Sequence, residues 1–248
     1  MINKNFISDI PVAVVTGAGS GIGLAVVKKL LSKKFIVYAC TGSNTSALKE
    51  YLEKHKYKRL FIKKFDIKDR SFAKELVQNI YKEFKRIDIL VNSAGIPYGN
   101  LFALTKDTDM ENVFQTNYFS LLNLTQLISR VMGKNKKGSI VNISSSTSFN
   151  ADIGTLAYGS SKVALNYATE VLSKELASQG IRVNAVAPGI TDTAMLKKMD
   201  LKAIDEQLKA SSLKKVANPD QIASVIMFLC SQESSHITGQ IIKVDGGQ

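Results

Sequence analysis

The feature that most constrains the fold is the alternation of short apolar runs with longer amphipathic stretches along the 248-residue chain. The short runs carry Val and Ile at consecutive positions, which is typical of strands that are covered on both faces of a sheet. Repeated strand–helix units with short links predict an α/β fold, a doubly wound seven-stranded parallel sheet with helices on both faces. The predicted strands are Val12–Thr16, Ile36–Cys40, Leu60–Asp66, Ile87–Val91, Ser139–Ser144, Arg182–Ala187 and Ile241–Val244.

The stretches between these strands have helical periodicity, and no linker, low-complexity tract or longer repeat divides the chain, which predicts a single domain over residues 1–248. The segment Ile190–Ala217 is too long and too polar for a simple link, so we expect it to form a substrate loop or lid. The predicted helices are Gly21–Leu31, Thr45–Lys54, Arg70–Phe84, Met110–Met132, Ala157–Ser178 and Pro219–Cys230.

The composition excludes several classes of protein. The formal net charge is +12, but lysine dominates it and is spread along the chain, which indicates a solvated surface or attraction of anionic ligands rather than nucleic-acid binding. No apolar run approaches the roughly 18 residues that a membrane span needs. The two cysteines have no metal-ligand spacing, and residues 1–11 contain no apolar signal segment, so we expect a cytoplasmic protein without a metal site.

A glycine-rich turn follows the first predicted strand directly and opens a helix. It reads Thr16-Gly17-Ala18-Gly19-Ser20-Gly21-Ile22-Gly23. Glycine permits positive φ and close approach of a ligand, and the helix N-terminus offers free N–H groups. Together they predict a cradle for a dinucleotide pyrophosphate.

A second signal is the pair Tyr158 and Lys162, which stand one helical turn apart and share a helix face. Small residues follow the tyrosine, and the strand before this helix ends in serines 144–146. Because carboxyl ends of parallel strands face the ligand crevice, one of these serines and Tyr158 can meet there. The other pair of this spacing, Tyr81 and Lys85, lies in an ordinary amphipathic helix, so we interpret it as packing and surface.

Carbonyl reduction needs a hydride at carbon and a proton at oxygen. A free tyrosine has a pKa near 10, and a nearby ammonium favours the phenolate, so we expect Lys162 to lower the pKa of Tyr158. The glycine turn and this pair therefore predict an NAD(P)-dependent oxidoreductase in which Tyr158 transfers the proton.

From Val12 to Gly247 the chain resembles the short-chain dehydrogenase/reductase family. The likeness rests on the glycine spacing at 16–23, on Asn92-Ser93-Ala94-Gly95, on Tyr158 with Lys162, on Pro188-Gly189 and on the C-terminal Asp245-Gly246-Gly247. The resemblance implies a catalytic set of Asn117, Ser145, Tyr158 and Lys162. The cofactor contacts that it implies are Gly17, Gly19, Ser20, Gly21, Ile22, Gly23, Thr41, Ser43, Asp66, Ile67, Asn92, Ala94, Gly95, Tyr158, Lys162, Pro188, Gly189, Ile190 and Thr193.

The resemblance also bears on the choice of cofactor. An acidic residue after the second strand selects NAD(H), and its place is taken here by Thr41. Thr41, Ser43 and Asn44 can hydrogen-bond a phosphate, whereas the basic residue that many NADP-dependent members carry in the glycine turn is Ser20. We therefore expect NADP(H), with NAD(H) as the alternative.

The overall pattern is most similar to 3-oxoacyl-acyl-carrier-protein reductases. Lys136 and Lys137 match one place where such enzymes hold the acidic carrier, while Gln179 departs from the Arg at the other. A reductase or dehydrogenase of another small alcohol, such as a sugar or cofactor precursor, and a non-catalytic dinucleotide-binding regulator remain alternatives. Predicted substrate contacts come from 96–101, 146–153 and 190–217, and the candidates are Tyr98, Phe102, Phe149, Met195, Leu196 and Met199.

The assembly is a further expectation from the resemblance. Family members pair the two long helices, here Met110–Met132 and Ala157–Ser178, across a twofold axis. We therefore expect a homotetramer.

Overall fold

The computed structural model describes residues 10–42 and 44–248. The first nine residues, for which the sequence predicts no secretory signal, and Ser43, a predicted cofactor contact, lie outside the described residues.

Seven parallel strands form one sheet in the order β3-β2-β1-β4-β5-β6-β7, which confirms the predicted doubly wound fold. The order reverses between β1 and β4, so a crevice opens at their carboxyl ends, where ligands bind in such sheets. The strands are β1 Val12–Val15, β2 Ile36–Thr41, β3 Leu60–Lys64, β4 Ile89–Asn92, β5 Gly138–Ile143, β6 Ile181–Pro188 and β7 Ile241–Val244.

Helices cover both faces of the sheet, and an apolar core lies on each side. One core packs α1 and α8 against the sheet, and the other packs α3 and α5. The helices are α1 Gly21–Ser32, α2 Ser46–His55, α3 Arg70–Phe84, α4 Asp107–Phe114, α5 Ser120–Lys134, α6 Leu156–Glu175, α7 Leu201–Ala210 and α8 Pro219–Leu229. Within the described part of the chain, no helix is long and apolar enough to cross a membrane.

The predicted helix Met110–Met132 is wrong in two respects. It begins earlier, at Asp107, and a π-helical turn over Gln115–Phe119 separates α4 from α5. The wider turn is closed by Ser120, whose Oγ donates to the Gln115 carbonyl oxygen at 2.6 Å. Such insertions are frequent at functional sites, and this one contains Asn117.

The segment 190–217 is also more ordered than a simple loop. It contains α7, whose start is capped because Lys202 N–H donates to the Asp200 carboxylate at 2.8 Å. An isolated parallel bridge joins Thr191 to Ala217, and Ala217 N–H donates to the Ile190 carbonyl oxygen at 2.9 Å. The segment therefore leaves the sheet and returns to its own starting point.

Candidate active site

The glycine turn lies at the crevice between β1 and β4. Thr16 Oγ1 accepts hydrogen bonds from the N–H groups of Ser93 and Ala94, both at 3.0 Å, so the turn after β1 is tied to the turn after β4. Gly17 has φ +62°, and a Cβ there would lie 2.6 Å from the Ser93 carbonyl oxygen. A side chain at Gly19 would collide with the next turn as well. The surface of the glycine turn is therefore formed by backbone atoms.

The N-terminus of α1 opens onto the same surface. Among the described residues no side-chain cap satisfies its first turn, since the N-cap Ser20 makes no capping hydrogen bond. Free N–H groups and the positive end of the helix dipole favour an anion there. The turn therefore fits the pyrophosphate of a dinucleotide.

The chain after β6 borders the glycine turn from the other side. Gly189 N–H donates to the Val244 carbonyl oxygen at 3.1 Å, which holds the Pro188-Gly189 turn against β7. Thr193 then reaches Gly21, where a Cβ would lie 2.8 Å from the threonine methyl group. The start of segment 190–217 thus lies directly beside the first turn of α1.

Helix α6 carries Tyr158 and Lys162. The Lys162 side chain is only 4% exposed, and its Nζ lies 5.6 Å from the centre of the Tyr158 ring. Nζ donates a hydrogen bond to the Ile143 carbonyl oxygen, at the end of β5, at 2.8 Å. Burial lowers the pKa of Lys162 to about 8, because desolvation disfavours the charged form.

Ser145 lies just beyond β5, where it begins a short 3-10 turn over Ser146–Ser148. Its hydroxyl oxygen accepts from the Thr147 N–H at 3.2 Å and donates to Thr147 Oγ1 at 3.1 Å. The Ser145 side chain also lies close enough to the Tyr158 phenol to lower the pKa of that group. The strand-end serine and the tyrosine therefore meet, as the sequence led us to expect.

The expected lowering of the Tyr158 pKa by Lys162 is wrong for the protein by itself. Burial raises the pKa of this phenol, and the opposing effect comes from the hydrogen bond with Ser145. The reason is that a desolvated phenolate is costly, and Lys162, which is desolvated too, binds the Ile143 carbonyl.

Asn117 connects the π-helical turn to the loop after β4 and to α6. Its amide donates to the Ile96 carbonyl oxygen at 3.0 Å and accepts from the Ile96 N–H at 2.8 Å. The same amide donates to Ser161 Oγ at 3.2 Å. A Cβ at Gly95 would lie 3.3 Å from Asn117 Oδ1 and 3.6 Å from Lys162 Nζ, so these two side chains converge on one glycine.

Several predicted cofactor contacts are engaged with the protein itself. Thr41 is buried, and its hydroxyl donates to the Asn44 carbonyl oxygen at 3.2 Å. Asn92 donates to Thr125 and Asn142, both at 2.9 Å, and so ties β4 to its neighbours. Thr41 and Asn92 therefore hold the backbone that lines the crevice.

Asp66 does not end β3, as the sequence suggested, because the strand stops at Lys64. Asp66 is exposed in the turn that follows, and its carboxylate accepts from the Lys68 N–H at 2.9 Å. A short aspartate that binds its own backbone two residues on favours a turn over a strand.

Two residues missed from the sequence contribute to the site. Ser161 donates to the Tyr158 carbonyl oxygen at 2.7 Å and links it to Asn117. Ile143 offers only a backbone carbonyl, which no residue-type pattern can reveal. The prediction for Tyr81 and Lys85 is confirmed, because Tyr81 packs against the core beside α3 and α5 and Lys85 is exposed. The centre of the Tyr81 ring lies 5.2 Å from the ammonium of Lys85 and 4.3 Å from that of Lys134.

The fold and this arrangement define a dinucleotide-binding oxidoreductase. More narrowly, the chain belongs to the short-chain dehydrogenase family, whose model, described as short chain dehydrogenase, matches residues 11–203. It therefore acts on a hydroxyl or carbonyl group with a nicotinamide dinucleotide.

Curated relatives span almost the whole chain. It is 37% identical over 238 residues to the 3-oxoacyl-[acyl-carrier-protein] reductase FabG of Thermotoga maritima, which covers 95% of this chain and 96% of that protein. The FabG of Chlamydia trachomatis is 33% identical over 237 residues, with the same coverage of 95% and 96%. The 3alpha-hydroxysteroid dehydrogenase of Mediterraneibacter gnavus is 34% identical over 239 residues, covering 95% of each chain.

Proposed function

We propose that this protein reduces the carbonyl group of a 3-oxoacyl thioester, with NADPH as the preferred cofactor and an acyl carrier protein as the partner. The observation that carries the reaction is the half-buried Tyr158 phenol, which lies close to Ser145 and beside the Lys162 ammonium, in a sheet whose glycine turn suits a pyrophosphate. The similarity to two FabG proteins supports the substrate.

In this proposal Tyr158 donates its proton to the substrate oxygen as the carbonyl becomes an alcohol. A nicotinamide held at this crevice would supply the hydride. Ser145 holds the substrate oxygen beside the phenol as a preorganised donor. The Lys162 ammonium offsets the negative charge that the Tyr158 oxygen gains as its proton leaves. Asn117 holds the loop at Ile96, which borders the crevice.

The cofactor would lie along the glycine turn and under the start of segment 190–217. Tyr158 and Lys162 would face its nicotinamide end. The residues that we propose to border it are Gly17, Gly19, Ser20, Gly21, Ile22, Gly23, Thr41, Asp66, Ile67, Asn92, Ala94, Gly95, Pro188, Gly189, Ile190 and Thr193.

A lysine on β3 supports the preference for NADPH. In the parallel register Thr41 pairs with Lys64, and Cys40 pairs with Lys63. Because side chains alternate along a strand, Lys64 shares the Thr41 face, which borders Gly19, whereas Lys63 shares the opposite face. Lys64 is exposed. An exposed cation beside the position of the missing acid suits a ribose 2′-phosphate.

The apolar rim of the crevice supports an acyl chain. Phe102 is 76% exposed and Ile153 is 91% exposed, and Phe149 follows the turn that begins at Ser145. The two segments lie side by side, since Asn100 N–H donates to the Gly154 carbonyl oxygen at 2.9 Å. Exposed apolar side chains in such numbers favour an apolar ligand. Segment 190–217 would cover it as a lid.

The basic surface suited to an acidic carrier lies after α5. Lys136 and Lys137 are exposed, and the Lys136 carbonyl packs against Gly180. Gln179 reaches back to Gly133. Lys136–Lys137 and Gln179, which correspond to the places where similar enzymes hold the carrier, are therefore adjacent. Lys134 extends the positive surface that would attract an acidic protein.

A dehydrogenase of another alcohol is the second candidate, because the steroid dehydrogenase relative is about as similar as the FabG proteins. The test is turnover by the purified protein, with NADPH or NADH, of a 3-oxoacyl thioester, a 3-ketosteroid and a panel of keto-sugars. The proposal predicts the highest kcat/KM for the thioester with NADPH. A higher kcat/KM for a steroid or a sugar would refute this proposal in favour of the second candidate.

We also propose that the protein forms a homotetramer in the cytosol. Apolar side chains stand exposed along α6 at Leu156, Val163 and Tyr167, and Phe119 is exposed between α4 and α5. A helix face of this kind is expected to be buried by a second copy. Light scattering tests the assembly, and a monomer mass would contradict it. Cys40 and Cys230 are both free, which suits a reducing compartment.

A further inference from the structure

Asn166 continues the row of functional side chains on α6. Tyr158, Lys162 and Asn166 follow one another at four-residue intervals, so all three project from the same face of the helix. The first two lie beside the reacting centre proposed above. The third points to the short turn that carries Ser145.

A chain of two hydrogen bonds joins Asn166 to that turn. The Asn166 amide Nδ2 donates to Ser148 Oγ at 2.9 Å, and Ser148 Oγ donates to the Ser145 carbonyl oxygen at 2.6 Å. A hydroxyl has a single proton to donate. While Ser148 donates its proton to the Ser145 carbonyl, its oxygen can only accept, and the Asn166 NH₂ group, which is always a donor, fits that arrangement. Ser144 Oγ also donates to Ser148 Oγ, at 3.3 Å. Asn166 therefore keeps the Ser148 proton directed at the Ser145 carbonyl oxygen.

Asn166 lowers the stability of the fold, which indicates that its side chain does more than fill space. Its Oδ1 is buried and has no hydrogen-bond partner among the described residues. An unsatisfied buried acceptor lowers stability, and an apolar side chain of similar volume would avoid that cost.

We propose that Asn166 is a positioning residue, which acts through Ser148 to hold the turn over Ser145–Ser148 and so aims the Ser145 hydroxyl at the Tyr158 phenol. This proposal rests on the proposed function, because it assigns Asn166 a part in the same reaction. It does not depend on which carbonyl compound is the substrate.

The test is a double-variant cycle of Asn166→Leu and Ser148→Ala, each made alone and together. We expect each single variant to lower kcat for carbonyl reduction by about tenfold while KM for NADPH stays within about twofold. Because both changes break one chain, the double variant should be no slower than either single variant. Additive losses would overturn the proposal.

Two further variants separate positioning from folding. Asn166→Asp keeps the shape, but its carboxylate only accepts, so Ser148 would turn towards it and leave Ser145; we expect the same loss of kcat. Thr169→Val is the matched control, since Thr169 lies on the same helix as Asn166 and its Oγ1 accepts a buried hydrogen bond from the amide of Asn142 on β5. It should lower thermal stability without lowering kcat. Unchanged kcat in Asn166→Asp, or an equal fall in Thr169→Val, would contradict positioning.

A readout that needs no turnover completes the test. The Ser145 hydrogen bond lowers the phenol pKa, so its loss in Asn166→Leu should raise the Tyr158 pKa. An NMR titration of ¹³C-labelled tyrosine, with Tyr158→Phe to assign the signal, measures it in wild type and variant. An unchanged phenol pKa overturns the positioning role. Absence of wild-type turnover with every carbonyl tested, together with a raised phenol pKa, would refute the proposed function alone.

Discussion

The Lys162 ammonium lies 5.6 Å from the centre of the Tyr158 ring, one helical turn away on the same face of α6. Burial favours the uncharged form of both groups. It lowers the pKa of Lys162 to about 8 and raises the pKa of Tyr158 above its ordinary value. The resting phenol is therefore protonated at neutral pH, as an acid catalyst for carbonyl reduction must be.

This relationship predicts opposite pH dependences for the two directions. Carbonyl reduction should be independent of pH near neutrality and fall only in alkaline solution, while alcohol oxidation, which needs the phenolate, should rise with pH. Replacing Ser145 by Ala should lower kcat and shift both profiles to higher pH, because the hydrogen bond that lowers the Tyr158 pKa is lost. Stopped-flow rates against pH measure this.

Ser146→Ala is the matched control, since Ser146 is the next buried residue of the same turn. It should leave the profiles unchanged. A shift in Ser146→Ala that equals the shift in Ser145→Ala would argue against a specific role for Ser145.

The depressed pKa of Lys162 predicts a pH-dependent stability. Below pH 8 the folded and unfolded states both hold the proton, so the burial penalty is fully present. Between pH 8 and the ordinary value of 10.5 the folded state releases its proton first, so stability rises with pH. Over that range the free energy of unfolding of wild type should gain up to about 3 kcal/mol relative to Lys162→Met. Urea unfolding at pH 7.5 and 9.5, at one protein concentration, should show about 2 kcal/mol of this gain; a constant difference would refute it.

The fold and most of the candidate site can be predicted from the sequence, because both depend on the regular spacing of residues along the chain. Consecutive apolar residues predicted every strand of the sheet to within about two residues at each end, and the glycine spacing predicted the turn at Gly17. The sequence could not reveal the π-helical turn at Gln115–Phe119, because it depends on a hydrogen bond of Ser120 and on the contact of Asn117 with a distant loop. The sequence does not predict helix α7 either, because the polar residues around it are typical of a loop.

The cofactor preference yields a third prediction. Lys64→Gln should lower kcat/KM for NADPH by about tenfold, since a charged partner of the 2′-phosphate is lost, and leave kcat/KM for NADH unchanged. Lys63→Gln is the matched control, because Lys63 is the neighbouring residue on the opposite face of β3. Equal effects of Lys64→Gln on both cofactors would remove Lys64 from the phosphate site.

The carrier surface yields a fourth prediction. Reversing charge with Lys136→Glu and Lys137→Glu should raise KM for an acyl-carrier thioester at least tenfold and leave KM for a short thioester without carrier unchanged. Wild-type turnover of the carrier substrate should fall steeply with salt, because long-range attraction is screened within about 10 Å at 0.1 M. The control pair is Lys49→Glu with Lys54→Glu, exposed on α2. Equal losses in both pairs would indicate a general charge effect.

The pKa of the phenol could not be anticipated from sequence. The spacing of Tyr158 and Lys162 shows that the ammonium is near but not how far both groups are removed from water. The structure supplies that information through the burial of Lys162 and its bond to Ile143. The sign of the expected shift is therefore wrong, whereas the two side chains lie close together as predicted.

The most direct test of proton transfer by Tyr158 is the turnover of Tyr158→Phe with a 3-oxoacyl thioester and NADPH, together with NADPH binding measured by fluorescence. We expect kcat to fall at least a thousandfold while the dissociation constant for NADPH stays within about threefold. A kcat near that of wild type would contradict it, since the phenylalanine ring has no proton to give.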